Sequence, residues 1–261
     1  MTELNLLFRK RVGLSFNEEI TFDQLPSLLE KTAMTIPFEN LCVIRNTSTE
    51  LSIENLVHKI LVKNEGGLCY DLNSILYLFL KENGMNIYLV RGVVYDHLNQ
   101  RWSPVGKTHV ANLISHENQF YIVDTGFGGN LPLRPVPLNG EVVTSKNGQF
   151  KVEKLKTEYG DYALYMKLKY KDDNWKLGYA FDSLEKIMNL ADLNEVQKRI
   201  VEHPESPFNK KPLVTRLTET GNVTLTDSSF TEWVNGKVGK EEVDERRFNE
   251  IVKEIFDLRA Y

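Results

Sequence analysis

Cys69 follows the turn Glu65-Gly66-Gly67-Leu68 and opens an apolar run with Leu72, Ile75, Leu76, Phe79 and Leu80. That spacing predicts a helix from Cys69 to Asn83, with Gly84 as its cap. A thiol at a helix N-terminus faces unpaired backbone N–H groups and the positive end of the helix dipole. Such surroundings favour the thiolate, which is the nucleophilic form. The pattern points to covalent cysteine chemistry, and that chemistry needs a base and a group to orient it.

Five histidines are available: His58, His97, His109, His116 and His203. His109 stands out because it sits inside the strand-like run Thr108-His109-Val110-Ala111-Asn112-Leu113-Ile114. The next run, Phe120-Tyr121-Ile122-Val123-Asp124-Thr125, ends at the glycine turn Gly126-Phe127-Gly128-Gly129. A hairpin turning on His116-Glu117, or on the four residues from Ser115 to Asn118, sets His109 directly opposite Asp124. Directly opposed residues have Cβ atoms about 4.5–5.5 Å apart, close enough for a carboxylate to hold an imidazole. Alone, His109 reads as a satisfied strand residue and Asp124 as a cap on the glycine turn. Together with Cys69 they read as a thiolate–imidazolium unit steadied by a carboxylate.

The elements that would position these groups fall into three blocks. Helical periodicity dominates residues 1–84, with Thr21 capping a helix through Phe22, Leu25, Leu28 and Leu29. Ser52 caps a second through Ile53, Leu56, Val57, Ile60 and Leu61, and Pro37 breaks the chain between the two. Residues 85–190 change to strand patterns: 86–95, 107–115, 119–125, 149–156, 162–170 and 175–181. Residues 191–261 mix both, with a helix over 192–202, strands over 213–218, 222–226 and 230–234, and a closing helix over 241–258. The expected class is α+β: a helical bundle, a central antiparallel sheet or small barrel, and a small mixed region.

Composition narrows the function classes. The net charge is -4, with 32 Lys and Arg against 36 Asp and Glu, so no broad nucleic-acid or anionic-membrane surface is expected. No apolar run approaches the roughly 18 residues of a membrane span. Residues 1–16 lack an apolar core and a cleavage site, so no signal peptide is expected. The two cysteines, Cys42 and Cys69, fit a reducing cytoplasm better than a disulfide framework, and a metal site is not expected. Cys42, in Phe38-Glu39-Asn40-Leu41-Cys42-Val43-Ile44, reads as a buried structural thiol.

Four blocks of this chain resemble the arylamine N-acetyltransferases: Ile36-Pro37-Phe38-Glu39-Asn40-Leu41, Gly66-Gly67-Leu68-Cys69-Tyr70-Asp71-Leu72-Asn73, Thr108-His109-Val110-Ala111-Asn112-Leu113 and Val123-Asp124-Thr125-Gly126-Phe127-Gly128. A weaker echo is His203-Pro204-Glu205-Ser206-Pro207-Phe208. The resemblance implies a helical bundle, a β-barrel and an α/β lid around a catalytic core like that of cysteine proteases and transglutaminases. It implies a triad of Cys69, His109 and Asp124, acetyl-CoA as co-substrate, and ping-pong transfer to an arylamine, arylhydrazine or N-arylhydroxylamine. It further implies an acceptor pocket of Phe38, Val93, Phe127 and Phe208, and cofactor contacts from Thr108, Gly126 and Gly128. Lys210, Lys211 and Arg216 are candidates for the CoA phosphates by their place in the lid. The glycine turn reads equally as a strand-ending turn and as a loop approaching CoA.

Two residues depart from the family pattern. Glu65 stands where an arginine is usual, and Asp71 where a glutamate is usual. A carboxylate at 65 is expected to disturb the loop or to oppose a thiolate at Cys69. Other readings of the same machinery are an amide synthase, a thioester or amide hydrolase, or a weakly active paralogue that binds CoA or aromatic ligands.

Overall fold

The computed structural model describes residues 1–258. Its first block holds α1 (Glu3–Val12), α2 (Leu25–Thr35), β1 (Phe38–Glu39), α3 (Leu41–Ile44), α4 (Ile53–Leu56) and α5 (Cys69–Glu82). Caps sit where the sequence places them. Thr21 and Gln24 form a capping box ahead of α2, and the Ser52 hydroxyl accepts the N–H of Asn55. After α4 the chain widens into a π-helical turn, Val57–Val62. The predicted stripe of α5 is fully inside, with Leu72, Ile75, Leu76, Phe79 and Leu80 all buried.

The second block is a nine-stranded antiparallel sheet that nearly closes into a barrel. Its strands are β2 (Ile87–Asp96), β3 (Arg101–Trp102), β4 (His109–His116), β5 (Gln119–Val123), β6 (Val136–Pro137), β7 (Val143–Ser145), β8 (Gly148–Thr157), β9 (Gly160–Leu168) and β10 (Lys176–Ile187). The main path runs β6-β5-β4-β2-β10-β9-β8-β7, with β3 added to β2. Val152, Leu164, Tyr179 and Phe181 fill the interior. The last strand is longer than its apolar run predicts, because a bulge between Phe181 and Lys186 carries the pairing on to Ile187.

The third block holds α6 (Leu193–Glu202), β11 (Leu213–Thr218), β12 (Gly221–Thr226), β13 (Ser229–Val234), β14 (Lys237–Glu242) and α7 (Glu245–Glu254). Its strands form a five-stranded sheet ordered β1-β11-β12-β13-β14, so its first strand comes from the helical block. One expectation fails here, and one strand was unforeseen. The helix expected over 241–258 begins only at 245, where the Asp244 carboxylate accepts the Arg247 N–H at 2.7 Å. Residues 237–242 instead form β14, whose six residues are all exposed and carry no apolar alternation to read. β1 was also unforeseen: two residues are too few to show a period. It matters nonetheless, because Phe38 pairs with Thr215 on one side and bridges Gly67 on the other. The lid sheet and the loop before Cys69 are thus tied to one short strand.

Candidate functional site

Cys69 is the first residue of α5, and the loop ahead of it is packed too tightly for side chains. A Cβ on Gly66 would lie 2.2 Å from the Pro37 carbonyl oxygen, and one on Gly67 would lie 2.5 Å from the Asp71 side chain. The Cys69 thiol donates to the Thr108 carbonyl at 3.4 Å. Thr108 immediately precedes β4, whose first residue is His109.

His109 is buried and reaches both expected partners. Its Nε2 lies 2.7 Å from Asp124 Oδ2, and Cys69 is near enough to favour the charged ring. The register behind this contact is not the expected one. The hairpin turns on Glu117-Asn118, both with positive φ, and pairs His116 with Gln119 and Asn112 with Val123. Continuing that ladder puts Asp124 across from Ala111, two residues along from His109 and on the same face. The shift is by two, so the facing side is preserved. Asp124 lies just beyond the paired strand and covers the diagonal gap.

Burial disfavours the charged ring, but the Asp124 charge, its hydrogen bond and Cys69 outweigh that and push His109 up to about 10. Burial likewise disfavours the Asp124 carboxylate. His109, Asn73 and the Gly126 N–H together outweigh it and hold Asp124 below its usual range. Asn73 was in a motif block but was given no role by sequence. It stands one helical turn after Cys69 on the same face. Its amide donates to Asp124 Oδ1 at 2.9 Å and to the Val110 carbonyl at 2.7 Å. Its carbonyl accepts the Thr125 N–H at 3.0 Å. Gly126 completes the support: a Cβ there would lie 2.5 Å from the Cys69 Cα. Tyr179, also missed, packs its ring 4.3 Å from His109; its strand was predicted, but nothing marked that position.

The far side of α5 explains how Glu65 is accommodated. Asp71 accepts the Leu68 N–H at 3.1 Å and pairs with Lys59 Nζ at 2.8 Å. Burial disfavours the Lys59 ammonium, yet Asp71, Glu39 and the nearby Cys42 hold it well above its ordinary range. Glu39 is itself raised by burial, only partly offset by Lys59. Lys59, from the π-helical turn, is therefore a cation shared by Asp71 and Glu39. Glu65 lies beside Cys42, 3.8 Å from its sulfur, in a small polar cavity on this side. It does not line the cleft at Cys69, and its charge acts on Cys42 and Glu39. Cys42, expected to be buried, is only half-buried.

A cleft of ≈ 890 Å³ opens over Cys69 and His109. Phe38, Phe127, Phe208, Thr108, Gly126 and Gly128 all line it. Phe38 and Phe208 meet edge to face with ring centroids 5.6 Å apart. Val93 is not brought to this wall. It is fully buried opposite Ala180, and alternation along β2 gives the cleft Val94 instead. Lys210, Lys211 and Arg216 do not line the cleft either. Lys211 pairs with Asp227 at 2.9 Å, and Arg216 donates to the Ile255 carbonyl at 2.6 Å. The basic residues on the wall are Arg101 and Lys171, which no sequence pattern marked. Among the described residues no group of three or more His, Cys, Asp or Glu is placed to hold a metal ion. No helix among them is long and apolar enough to cross a membrane.

A family model described as N-acetyltransferase matches residues 21–260. The crystal structure of (BACCR)NAT3, an arylamine N-acetyltransferase from Bacillus cereus, superposes with a TM-score of 0.94 at 41% identity, covering 100% of both chains. That enzyme is described as having a unique Cys-His-Glu catalytic triad; here the carboxylate facing His109 belongs to Asp124. Arylamine N-acetyltransferase C from Bacillus anthracis gives a TM-score of 0.94 at 40% identity over 99% of each chain. The arylamine N-acetyltransferase of Escherichia coli is 28% identical, over 90% of this chain and 81% of its own length. With the whole chain spanned at this identity, and a cysteine, a histidine and a carboxylate converging under one cleft, the protein belongs to the arylamine N-acetyltransferase family.

Proposed function

We propose that Cys69, His109 and Asp124 act as a catalytic triad that carries an acetyl group from acetyl-CoA to an aromatic amine or hydrazine. The observation that carries this reading is that Cys69 and His109 line the cleft together, with His109 held from behind by Asp124. In the first half-reaction the thiolate attacks the acetyl carbonyl and the carbon–sulfur bond to CoA breaks. CoA leaves as a thiol, taking the proton held by His109. In the second, the amine nitrogen attacks the Cys69 thioester, His109 takes the amine proton, and the thiolate departs. In this reading the first N–H groups of α5 stabilise the oxyanion in both steps. Asp124 fixes the ring and stabilises the imidazolium.

Phe38, Phe127 and Phe208 offer the acceptor an apolar, aromatic wall, while Thr108, Gly126 and Gly128 border the path of the pantetheine arm. In this reading the nucleophile comes from residues 1–84, the base and its orienter from 85–190, and the cover from 191–261. A cytoplasmic setting suits a reactive thiol in a chain with only two cysteines.

Initial rates with acetyl-CoA and an aminosalicylate, each varied at fixed levels of the other, test this mechanism. Parallel double-reciprocal lines, with one equivalent of CoA released before any amine is added, are expected. Intersecting lines with no early CoA release would replace the covalent mechanism with direct transfer. Acetyl lost to water at the same rate with or without amine would make the enzyme a hydrolase.

A further inference from the structure

The charged side chains along the cleft have partners of opposite sign or turn-forming roles, with one exception. Arg101 pairs with Glu205 at 2.8 Å. Asp96 accepts the N–H groups of Leu98 and Asn99 in a turn. His109 faces Asp124. Lys171, in the connection between β9 and β10, makes no ion pair among the described residues. Its neighbour Asp172 is engaged with Lys176 at 2.6 Å and with the Leu168 N–H at 2.9 Å.

Lys171 is nevertheless held in place. Its Nζ donates to Asn222 Oδ1 at 2.7 Å and lies 5.0 Å from the centre of the Trp233 ring. Burial lowers its ammonium below the ordinary value, and Asp172 offsets this only in part. From Lys171 a row of polar side chains runs along the lid wall. Asn222 donates to Thr224 at 3.2 Å, and the Thr224 and Thr215 hydroxyls are 2.9 Å apart. All four residues line the cleft. Thr215 ends the row beside the glycine turn, its methyl 3.8 Å from where a Cβ on Gly128 would stand. The polar row therefore leads from the turn next to Cys69 to a half-buried cation without a counterion. Such a cation gains a charge-assisted hydrogen bond when an anion arrives.

We propose that Lys171, presented by Asn222 and Trp233, is an anion subsite of the cleft, taking a phosphate or carboxylate group of one of the two reactants. The reactants are those of the proposed transfer, so the subsite's role in turnover rests on that reading. Its ligand chemistry does not. Two sources fit: a phosphate of CoA, or a carboxylate on the aromatic acceptor.

Calorimetry on the whole chain separates them without turnover, using two matched pairs of probes. CoA is compared with pantetheine, which lacks the phosphates, and 4-aminobenzoate with the neutral 4-aminobenzamide. Lys171→Met is expected to lower one anionic-to-neutral affinity ratio about tenfold, the effect of losing one charged hydrogen bond. A fall in the CoA ratio assigns the subsite to phosphate; a fall in the aminobenzoate ratio assigns it to carboxylate. Lys171→Arg, which keeps the charge, should hold the affected ratio within about threefold of the wild type. Both ratios within twofold of the wild type in a folded Lys171→Met protein would overturn the proposal. Equal losses for the anionic and neutral probes would also overturn it, by making Lys171 a packing residue. Should Lys171→Met fail to fold, Lys171→Gln decides by the same ratios. Absence of acetyl transfer in the wild type would sink the transferase reading while leaving these binding ratios to judge the subsite.

Discussion

The chain's two cysteines lie on opposite sides of the same loop and have opposite surroundings. Cys69 opens α5 near His109, which is backed by Asp124, itself held by Asn73. Cys42 lies in the short α3, beside Glu65 and within the influence of Glu39 and Asp71. Burial, and then those carboxylates against Lys59, push the Cys42 thiol up to about 11. One residue type is thus placed to react on one side and kept protonated on the other. At Cys42 burial is the larger cause, and the Glu39, Glu65 and Asp71 charges add to it.

The largest expected effect sits on the reactive side. Cys69→Ala should reduce acetyl transfer by more than about 10³-fold, whereas Cys42→Ala should stay within about twofold in the same coupled assay of CoA release. A comparable loss in both variants would break the contrast. Next comes the orienting carboxylate. Asp124→Asn keeps the shape but is expected to lower kcat on the order of 10³-fold, because the amide cannot stabilise the imidazolium.

The same pair should show in stability against pH. His109 is raised, so its contribution is complete below its unfolded value of 6.5 and fades as pH rises toward about 10. Asp124 is lowered, so its contribution holds above the ordinary carboxylate value of 3.8 and is lost as pH falls through the depressed one. The difference in melting temperature between wild type and Asp124→Asn should therefore be widest between about pH 4.5 and 6.5 and shrink toward pH 10. A difference that widened toward pH 10 would contradict the pairing.

On the quiet side, Lys59→Met leaves Asp71 and Glu39 without their cation. Lys59's side chain is 17% exposed, so the loss is expected near the lower end for a broken buried pair, about 2–3 kcal/mol by denaturant unfolding. Adding Glu65→Arg to that variant should restore about half, since the arginine enters the same carboxylate cluster. No recovery would mean that Lys59 acts by packing alone. The smallest effect is chemical: at neutral pH, alkylation of Cys42 should run about a hundredfold slower than for a thiol at 9.0.

Long apolar periods made much of this fold legible. The stripe from Leu72 to Leu80 gave α5 almost to the residue, and alternation gave the main barrel strands. Short or polar elements left no such mark. β1 has two residues, and β14 is exposed throughout. At the site, His109 and Asp124 were readable because a register error of two residues keeps the face. Val93 was misplaced by one residue, which reverses the face. Asn73, Tyr179, Lys59 and Lys171 act through contacts between distant segments, and no local pattern carries those. Glu65 is close to Cys69 in sequence, but the fold sets its carboxylate beside Cys42, a placement no local pattern carries.

The most direct test of the central contrast is the intact mass of the protein after brief exposure to acetyl-CoA, followed by peptide mapping and then addition of an aromatic amine. One acetyl group is expected, carried on the peptide containing Cys69, lost to the amine as N-acetyl product, and absent in Cys69→Ala. An acetyl group on the peptide containing Cys42, or no acetyl on a folded protein with Cys69 accessible, would contradict it.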